Sequence, residues 1–430
     1  MKIANVAAII VTWNKLQDVC LLLDDLAKLS LNNIHLDIYV VDNASTDGTP
    51  AYIQQNYPQV KLLQTGTNLG GSGGFSHGLK TVSQLEYDYL WLLDNDVRLE
   101  TLALSFLVET LQTYEEVGLV GSQIRKLDDP NTLQEVGIFI NFTKAHIKNN
   151  FGNSPVTSNQ ELLKCQPYLV VDACAAASLL VRRIVVQKIG VFEDYFLHFD
   201  DIEWCLRAKA NWVVAVNPSS IVWHPSPDSK SRPWISYYDE RNVCYCWQKH
   251  QPNLVLKRVL VNLPRLMYNS LTGRYFLSQV AILGFEDFIK GIRGKMPGTL
   301  PYKEVSLTEV IDKPAKVIVQ SVIYQDKCQG SILQKMEQNK QITFLFYPKN
   351  IVVRIYLWII ACFWKPVDVA LVNCVKPDLY ALNLAKNVYY FTGNGYVRSN
   401  VSVVSLIKKL FITIVRVFRI YWKIKTLPIQ

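Results

Sequence analysis

Four clusters in the first 224 residues have the side-chain types and spacing for metal and phosphate chemistry. The sharpest is Asp94-Asn95-Asp96, which follows the apolar run Tyr89–Leu93. Two carboxylates at i and i+2 across a tight turn can share one hard cation through oxygen ligands, and that cation can bridge to a diphosphate. The same tripeptide also makes ordinary turns. A second cluster, Asn68-Leu69-Gly70-Gly71-Ser72-Gly73-Gly74-Phe75, puts four glycines in five positions. Such a run allows close backbone approach to a ligand or simply a flexible turn. It has neither the GxGxxG spacing nor the Lys-Ser/Thr of a P-loop. The third cluster, Phe196-Leu197-His198-Phe199-Asp200-Asp201-Ile202-Glu203-Trp204-Cys205-Leu206-Arg207, has three acids in four residues beside an aromatic and apolar background. They suit the first turn of a helix, where the macrodipole favours negative charge. They also suit a general base, because a partly buried carboxylate beside another has a tunable pKa. The fourth, Trp223-His224-Pro225, places an imidazole after the largely apolar stretch Trp212–Val222. A lone histidine there is usually structural, yet it could complete an Asp-x-Asp metal site.

The elements that must position these clusters alternate. Val6–Thr12, Ile38–Val41, Val60–Leu63 and Tyr89–Leu93 are apolar runs of strand length, while Asp18–Leu29 has helical spacing and a helix is expected from about Ser76 to Gln84. The cluster Asp42–Thr49 ends one strand and caps the helix after it. This βαβα rhythm predicts an α/β fold with a mostly parallel sheet between helices and ligands at the carboxyl ends of the strands. The polar clusters Thr12–Lys15, Asp42-Asn43, Asn68–Gly74 and Asp94–Asp96 fall at those ends.

In this order, together with Asp200-Asp201 and Trp223-His224, the clusters resemble those of inverting family 2 glycosyltransferases. More narrowly, the chain is similar to bacterial galactofuranosyltransferases and rhamnosyltransferases over about residues 4–250. The resemblance implies a GT-A nucleotide-sugar-binding domain. Thr12, Asn14, Lys15, Asp42 and Asn68 would line the nucleotide pocket, with Gly70, Gly71 and Gly73 beside the donor. Asp94, Asp96 and His224 would hold Mn²⁺ or Mg²⁺. Asp201 would be the catalytic base, with Asp200 hydrogen-bonding the sugars. The donor it implies is UDP-galactofuranose or dTDP-rhamnose, and the acceptor a glycan or lipid-linked glycan of cell-surface polysaccharide synthesis. Three departures from the polymerising galactofuranosyltransferases stand out: alanines at Ala175–Ala177 in place of a Trp pair, Asp239 in place of a His, and Asn95 in place of a third Asp.

Half of the 430 residues are hydrophobic and 19% are charged, which excludes a disordered chain. Nine scattered cysteines with no CxxC pair fit a reducing compartment. The net charge of +9 conceals a division: residues 1–250 hold 20 basic and 27 acidic side chains, residues 251–430 hold 25 and 9. The domains expected are a catalytic domain at 1–250, a helical basic extension at 251–298, and a small appendage at 299–430 with short strands and a basic amphipathic helix at its end. In 400–425, Lys408, Lys409, Arg416, Arg419, Lys423 and Lys425 stand without an acid, alongside many apolar residues. That pattern suits an interfacial helix on an anionic membrane surface or a helix packed on its own domain. The longest uninterrupted apolar run, Ile355–Trp364, is too short to span a bilayer, and Val6–Trp13 reads as a strand rather than a signal segment. A peripheral place on the cytosolic face of the cell membrane is expected. A catalytically inactive nucleotide-sugar-binding or scaffold protein is one alternative. A nucleic-acid-binding protein is another; no nucleic-acid partner is expected, since the basic half shows no recognition motif.

Overall fold

A computed structural model describes residues 3–159, 167–226, 232–311, 315–319, 327–338, 342–344, 367–374, 384–399 and 402–427. The chain divides into two units. The first comprises 1–227 with 245–254 and 292–296, and the second comprises 228–244, 255–291 and 297–430.

The first unit is built on a ten-stranded sheet. Its strands are β1 (Ala4–Thr12), β2 (Ile34–Asp42), β3 (Lys61–Gln64), β4 (Tyr89–Asp94), β5 (Arg98–Leu99), β6 (Val117–Lys126), β7 (Leu133–Glu135), β10 (Leu169–Val170), β11 (Ser178–Arg182) and β12 (Val213–His224), while β8 (Ile138–Asn141) and β9 (His146–Asn149) form a separate hairpin. The main order is β10-β12-β6-β11-β4-β1-β2-β3, with β5 on β12 and β7 on β6. β4, β1, β2 and β3 run parallel, and so do β12 and β6. β11 runs antiparallel between β4 and β6. The helices are α1 (Leu16–Leu26), α2 (Thr49–Asn56), α3 (Gly70–Val82), α4 (Ala103–Thr113), α5 (Arg183–Ile189) and α6 (Asp200–Ala208). The expected α/β class, a largely parallel sheet flanked by helices, is what this unit has.

The central strands are nearly continuous apolar runs because helices cover both of their faces. Ala7 to Ile10 of β1 and Leu90 to Leu93 of β4 are fully buried. Polar groups within this core are paired. Trp91 donates from Nε1 to Ser178 Oγ at 3.1 Å, and Ser178 continues through Ser122 to Ser220 in a chain of hydroxyls. Leaving one of these unmatched would cost about 1–3 kcal/mol.

The register aligns the ends of four strands. Thr12 pairs with Asp42, Asp42 with Gln64, and Val11 with Asp94. One edge of the sheet therefore gathers the polar clusters that follow β1, β2, β3 and β4.

The second unit contains α8 (Asn253–Leu271), α9 (Tyr275–Ile289) and the first residues of α7 (Ile235–His250), and a sheet in the order β14-β13-β15-β16-β17. Those strands are β13 (Ala315–Val319), β14 (Ile342–Phe344), β15 (Val367–Asn373), β16 (Ala385–Phe391) and β17 (Tyr396–Ser399); β14, β13, β15 and β16 are parallel and β17 closes the sheet antiparallel to β16. The apolar run 355–364 lies outside the described residues. Among the described residues no helix is long and apolar enough to cross a membrane.

The C-terminal helix, Val403–Thr426, packs on α9, with Arg416 on Glu286 at 2.8 Å, and meets α8 where Thr413 lies 2.8 Å from Ser270. Thr413, Val417, Ile420 and Ile424 are buried. Val404, Ile407, Phe411, Phe418 and Trp422 are 51–79% exposed. At 100° per residue these five fall within roughly a 60° arc opposite the buried face. The helix thus packs on its own unit and still presents an apolar stripe beside its basic side chains.

Candidate active site

The Asp94–Asp96 turn is tied to His224 by strand pairing. β4 ends at Asp94, the chain turns, and β5 pairs antiparallel with the end of β12, Arg98 opposite Trp223. This brings His224 Nε2 to 3.3 Å from Asp96 Oδ1 and 3.9 Å from Asp94 Oδ2. One ligand atom from each of the three lies within 4.8 Å of the others. A carboxylate pair plus one imidazole is a donor set for a hard or borderline divalent ion, so the residues present fit such a group. Burial would lower the His224 pKa, but Asp96 and Asp94 beside it win and raise it. Burial would raise Asp96, but the hydrogen bond and charge of His224 hold it below the ordinary carboxylate range. Asp94 is pushed up to about 6, mainly by loss of solvent around its carboxyl, with Asp96 and Asp201 adding repulsion against the pull of His224. Asn95 points elsewhere: its Nδ2 donates to Thr12 Oγ1 at 2.9 Å, which anchors the turn to β1.

The acid pair stands at the start of α6. The three residues Phe196, His198 and Phe199 just before it have φ of 68°, 63° and 67°. Left-handed backbone at bulky residues costs on the order of 1–3 kcal/mol each and persists only where packing enforces it. The enforcing element is the glycine run. Gly70 N–H donates to Asn68 Oδ1, Ser72 N–H donates to the Phe196 carbonyl, and Ser72 Oγ donates to the Glu193 carbonyl. A Cβ on Gly70 (φ 71°) would stand 2.1 Å from the Phe196 oxygen. One on Gly74 would stand 2.5 Å from Val11, and one on Gly78 2.5 Å from Ile9.

The expected loop at 68–74 is therefore largely helix. α3 begins at Gly70, six residues earlier than the sequence pattern predicts. Glycine is a poor helix former, and close packing on β1 and on the Phe196 turn overrides that preference. Gly71 and Gly73 lie in the first turn of the helix, with Leu197 and Leu69 against their open sides.

Asp201 Oδ2 accepts from the Ala176 N–H at 3.3 Å, and its Oδ1 accepts from the Ile202 N–H at 2.7 Å. Burial raises its pKa, against these hydrogen bonds and against His198. Asp200 is 9% exposed and is pushed up to about 7 by burial and by the Asp201 charge. Asp94 also acts on Asp200, and Asp201 on Asp94, so the acid pair and the Asp94/Asp96/His224 triad share one electrostatic site. Glu203 does not join them. Its buried carboxylate is taken by Arg207 at 2.9 Å, Lys249 at 3.0 Å and His250 at 3.1 Å, which gives it a structural role.

The remaining expected donor residues sit at the ends of β1 and β2. Thr12 and Asp42 are each 1% exposed. Asp42 Oδ2 accepts from the Ser45 N–H at 3.0 Å, while its Oδ1 has no partner among the described residues. Asn14 (φ 52°) links the two turns, its Oδ1 accepting from the Thr46 N–H and its own N–H donating to Ser45 Oγ. Lys15 pairs with Asp18 at 2.7 Å and is close enough to act on Asp96. Asn43 Nδ2 donates to the Gly70 carbonyl, which ties the end of β2 to α3.

Two residues, Gln134 and Glu135, join the site that sequence patterns do not assign to it, and His198, which stands in the acid cluster without a role of its own, acts there too. Gln134 Nε2 stands 3.1 Å from His224 Nδ1. Glu135 accepts from the Ala175 N–H at 3.2 Å and is pushed up to about 7 by burial and by Asp201. His198 acts on Asp94, Asp200 and Asp201. Gln134 and Glu135 lie on a three-residue strand in a stretch without periodicity, so no signal marked them. His198 stands two residues from the acid pair, and that adjacency was the available clue.

Residues 7–185 match the family model "Glycosyl transferase family 2". The chain is similar to an N-acetylglucosaminyl-diphospho-decaprenol L-rhamnosyltransferase of Mycobacterium tuberculosis, 27% identical over 222 residues, spanning 48% of this chain and 72% of that protein. It is 26% identical over 188 residues to Galactofuranosyltransferase GlfT2 of the same species, spanning 41% of this chain and 30% of that protein. Among solved structures, S. aureus TarS 1-349 in complex with UDP-GlcNAc aligns with a TM-score of 0.45 and 16% identity, over 68% of this chain and 82% of that one. The strand ends and the Asp-x-Asp turn lie within the matched residues 7–185, and the acid pair and His224 lie in the same unit, so it is this unit that is similar to the glycosyl transferases of family 2.

Proposed function

We propose that the chain is an inverting, metal-dependent hexosyltransferase that moves rhamnose or galactofuranose from dTDP-rhamnose or UDP-galactofuranose to a hydroxyl of a glycan or lipid-linked glycan. The observation that carries this reading is the meeting of the Asp94/Asp96/His224 triad with the Asp200/Asp201 pair at one edge of the sheet. The rhamnosyl reading gains support from the longer alignment, 72% of the rhamnosyltransferase against 30% of the galactofuranosyltransferase.

Asp42, with a buried carboxylate oxygen left for a ligand, and Asn14, Lys15 and Asn68 line the nucleotide end. Thr12 and the glycines Gly70, Gly71 and Gly73 hold the backbone that shapes it. Asp94, Asp96 and His224 would hold Mn²⁺ or Mg²⁺, which when bound neutralises charge on a diphosphate leaving group. Asp201 takes the proton of the acceptor hydroxyl. The oxygen then forms the new bond to the anomeric carbon as the bond from that carbon to the diphosphate oxygen breaks, with inversion. A carboxylate lifted above its ordinary range is a better proton acceptor. The Ala176 and Ile202 amides fix its direction, and Asp200 would hydrogen-bond the sugars.

The membrane part of the reading rests on the C-terminal helix. Its exposed apolar stripe and flanking Lys408, Arg419 and Lys425 suit the surface of an anionic leaflet, at about 1 kcal/mol per basic residue near the surface. Removing residues 400–430 shifts the protein from the vesicle pellet to the supernatant; intact protein that never pellets with anionic vesicles at low salt contradicts this part.

The enzymatic test is a donor panel. Purified protein with Mn²⁺ and each nucleotide-sugar is assayed for nucleoside diphosphate release. Release from dTDP-rhamnose or UDP-galactofuranose alone supports the reading, and failure to bind or turn over any nucleotide-sugar contradicts it.

A further inference from the structure

The second unit holds a cavity of about 330 Å³ that the glycosyl-transfer reading does not use. Its lining includes three arginines, Arg232, Arg265 and Arg274, with Ser236, Tyr268 and Asn269. No Asp or Glu is among the described lining residues. Like charges gather at one cavity only when something offsets their repulsion or their desolvation.

The three arginines are held differently. Arg274, between α8 and α9, is 3% exposed. Its Nε donates to Thr272 Oγ1 at 3.0 Å and its Nη1 to the Cys374 carbonyl at 2.9 Å, and the guanidinium lies 5.0 Å from the Tyr268 ring centroid. Burial pulls its pKa below the ordinary value, against smaller opposing effects of Tyr390, Tyr268 and Cys374. Arg265, on α8, donates from Nε to Asn262 and from Nη2 to Glu240 Oε1 at 2.6 Å, which orients it while its side chain stays 44% exposed. Glu240 is also bound by both ends of Arg258, so one carboxylate serves two guanidiniums. Arg232, just before α7, is exposed.

The Thr272 and Cys374 bonds of Arg274 explain a structural role for that residue. They do not explain why Arg232 and Arg265 converge on the same cavity. Planar guanidiniums match phosphate oxygens in paired hydrogen bonds. The volume is at the lower end of ligand pockets, roughly 300–1,000 Å³, which suits a headgroup-sized anion rather than a whole nucleotide-sugar.

We propose that this cavity is a binding site for a phosphate or diphosphate group, one that engages arginines directly and needs no metal ion. The contrast with the first unit is testable. There, acids face one another and a diphosphate needs a cation between; here the protein supplies the cations. The proposal stands whether or not the transferase reading does.

The experiment titrates inorganic diphosphate into the full chain by calorimetry in excess EDTA, which removes metal-dependent binding at Asp94 and Asp96. Arg274 ties a turn to the sheet, so the variants are Arg232→Gln, Arg265→Gln and their combination, each checked for an unchanged melting profile, with Asp96→Ala as a control. The intact chain and Asp96→Ala bind diphosphate alike, and each arginine replacement weakens binding by about tenfold. No binding by the intact chain, or equal binding by the double variant, overturns the proposal. A second arm separates the sources of the anion, using phosphatidylcholine vesicles with or without phosphatidic acid. If the double variant loses retention on the phosphatidic acid vesicles, the site takes a lipid headgroup. If retention is unchanged while diphosphate binding falls, the site takes a soluble ligand.

Discussion

Two pairs of carboxylates occupy the same edge of one sheet, and their surroundings send them in different directions. At Asp94 and Asp96 a protonatable imidazole stands within 3.9 Å of both, and it holds Asp96 below the usual range while Asp94 is raised to about 6, so this pair is split. At Asp200 and Asp201 burial pushes both carboxyls up, and the Asp201 charge pushes Asp200 further. Residue type is the same in all four; the neighbours decide which pair suits a cation and which suits a proton. Separation of titratable groups by environment is how acid–base roles are assigned in a single site.

The largest expected effect comes from breaking the first pair. Asp96→Ala removes a carboxylate facing His224, and turnover falls by about 10³-fold or more, since a metal ion supplies several kcal/mol of charge stabilisation. Full turnover by this variant, or by the intact protein in excess EDTA, removes the triad from its role. Next comes the support of that triad. Gln134→Leu leaves His224 Nδ1 without its neighbour, and Mn²⁺ affinity measured by calorimetry drops by about 10–100-fold, the usual cost of losing a group that orients a metal ligand. Unchanged affinity would make Gln134 a bystander.

The second pair is sharpened by its supporting backbone. Gly70→Ala puts a Cβ against the Phe196 carbonyl at a positive φ. A loss of about 2 kcal/mol or more is expected in denaturant unfolding, together with lower activity, because the strained turn before Asp200 can no longer seat. A smaller effect is expected from pH. Asp201 must be deprotonated to accept a proton, and its pKa is raised, so activity falls as pH drops through a value above 3.8, the ordinary position for this carboxyl. An acid limb of kcat near or below pH 4 contradicts that sign.

Much of this site follows from strand ends. Apolar runs closed by Asp, Asn and Thr predict where β1, β2 and β4 stop, and the parallel register then lines those stops up. The pairing of β5 with β12 that delivers His224 to Asp96 is a contact between residues about 125 apart in sequence, and it leaves no local pattern. The glycine run shows the opposite failure. Its local chemistry says loop, whereas the packing of Gly70, Gly74 and Gly78 against Phe196, Val11 and Ile9 makes it a helix. In the second unit, among the short strands expected in 299–430, β13 and β14 are described over 315–319 and 342–344. The clustering of Arg232, Arg265 and Arg274 depends on turns between helices, which composition alone does not place.

The central claim is that Asp201 moves a proton while the triad and nucleotide end bind the donor. Its most direct test is Asp201→Asn with donor affinity and turnover measured separately. The carboxamide keeps the shape and can still accept from the Ala176 amide, but it cannot take the proton. The account predicts a kcat lower by roughly 10²–10⁴-fold with donor affinity close to that of the intact protein. Near-normal turnover, or donor affinity lost together with turnover, would contradict it.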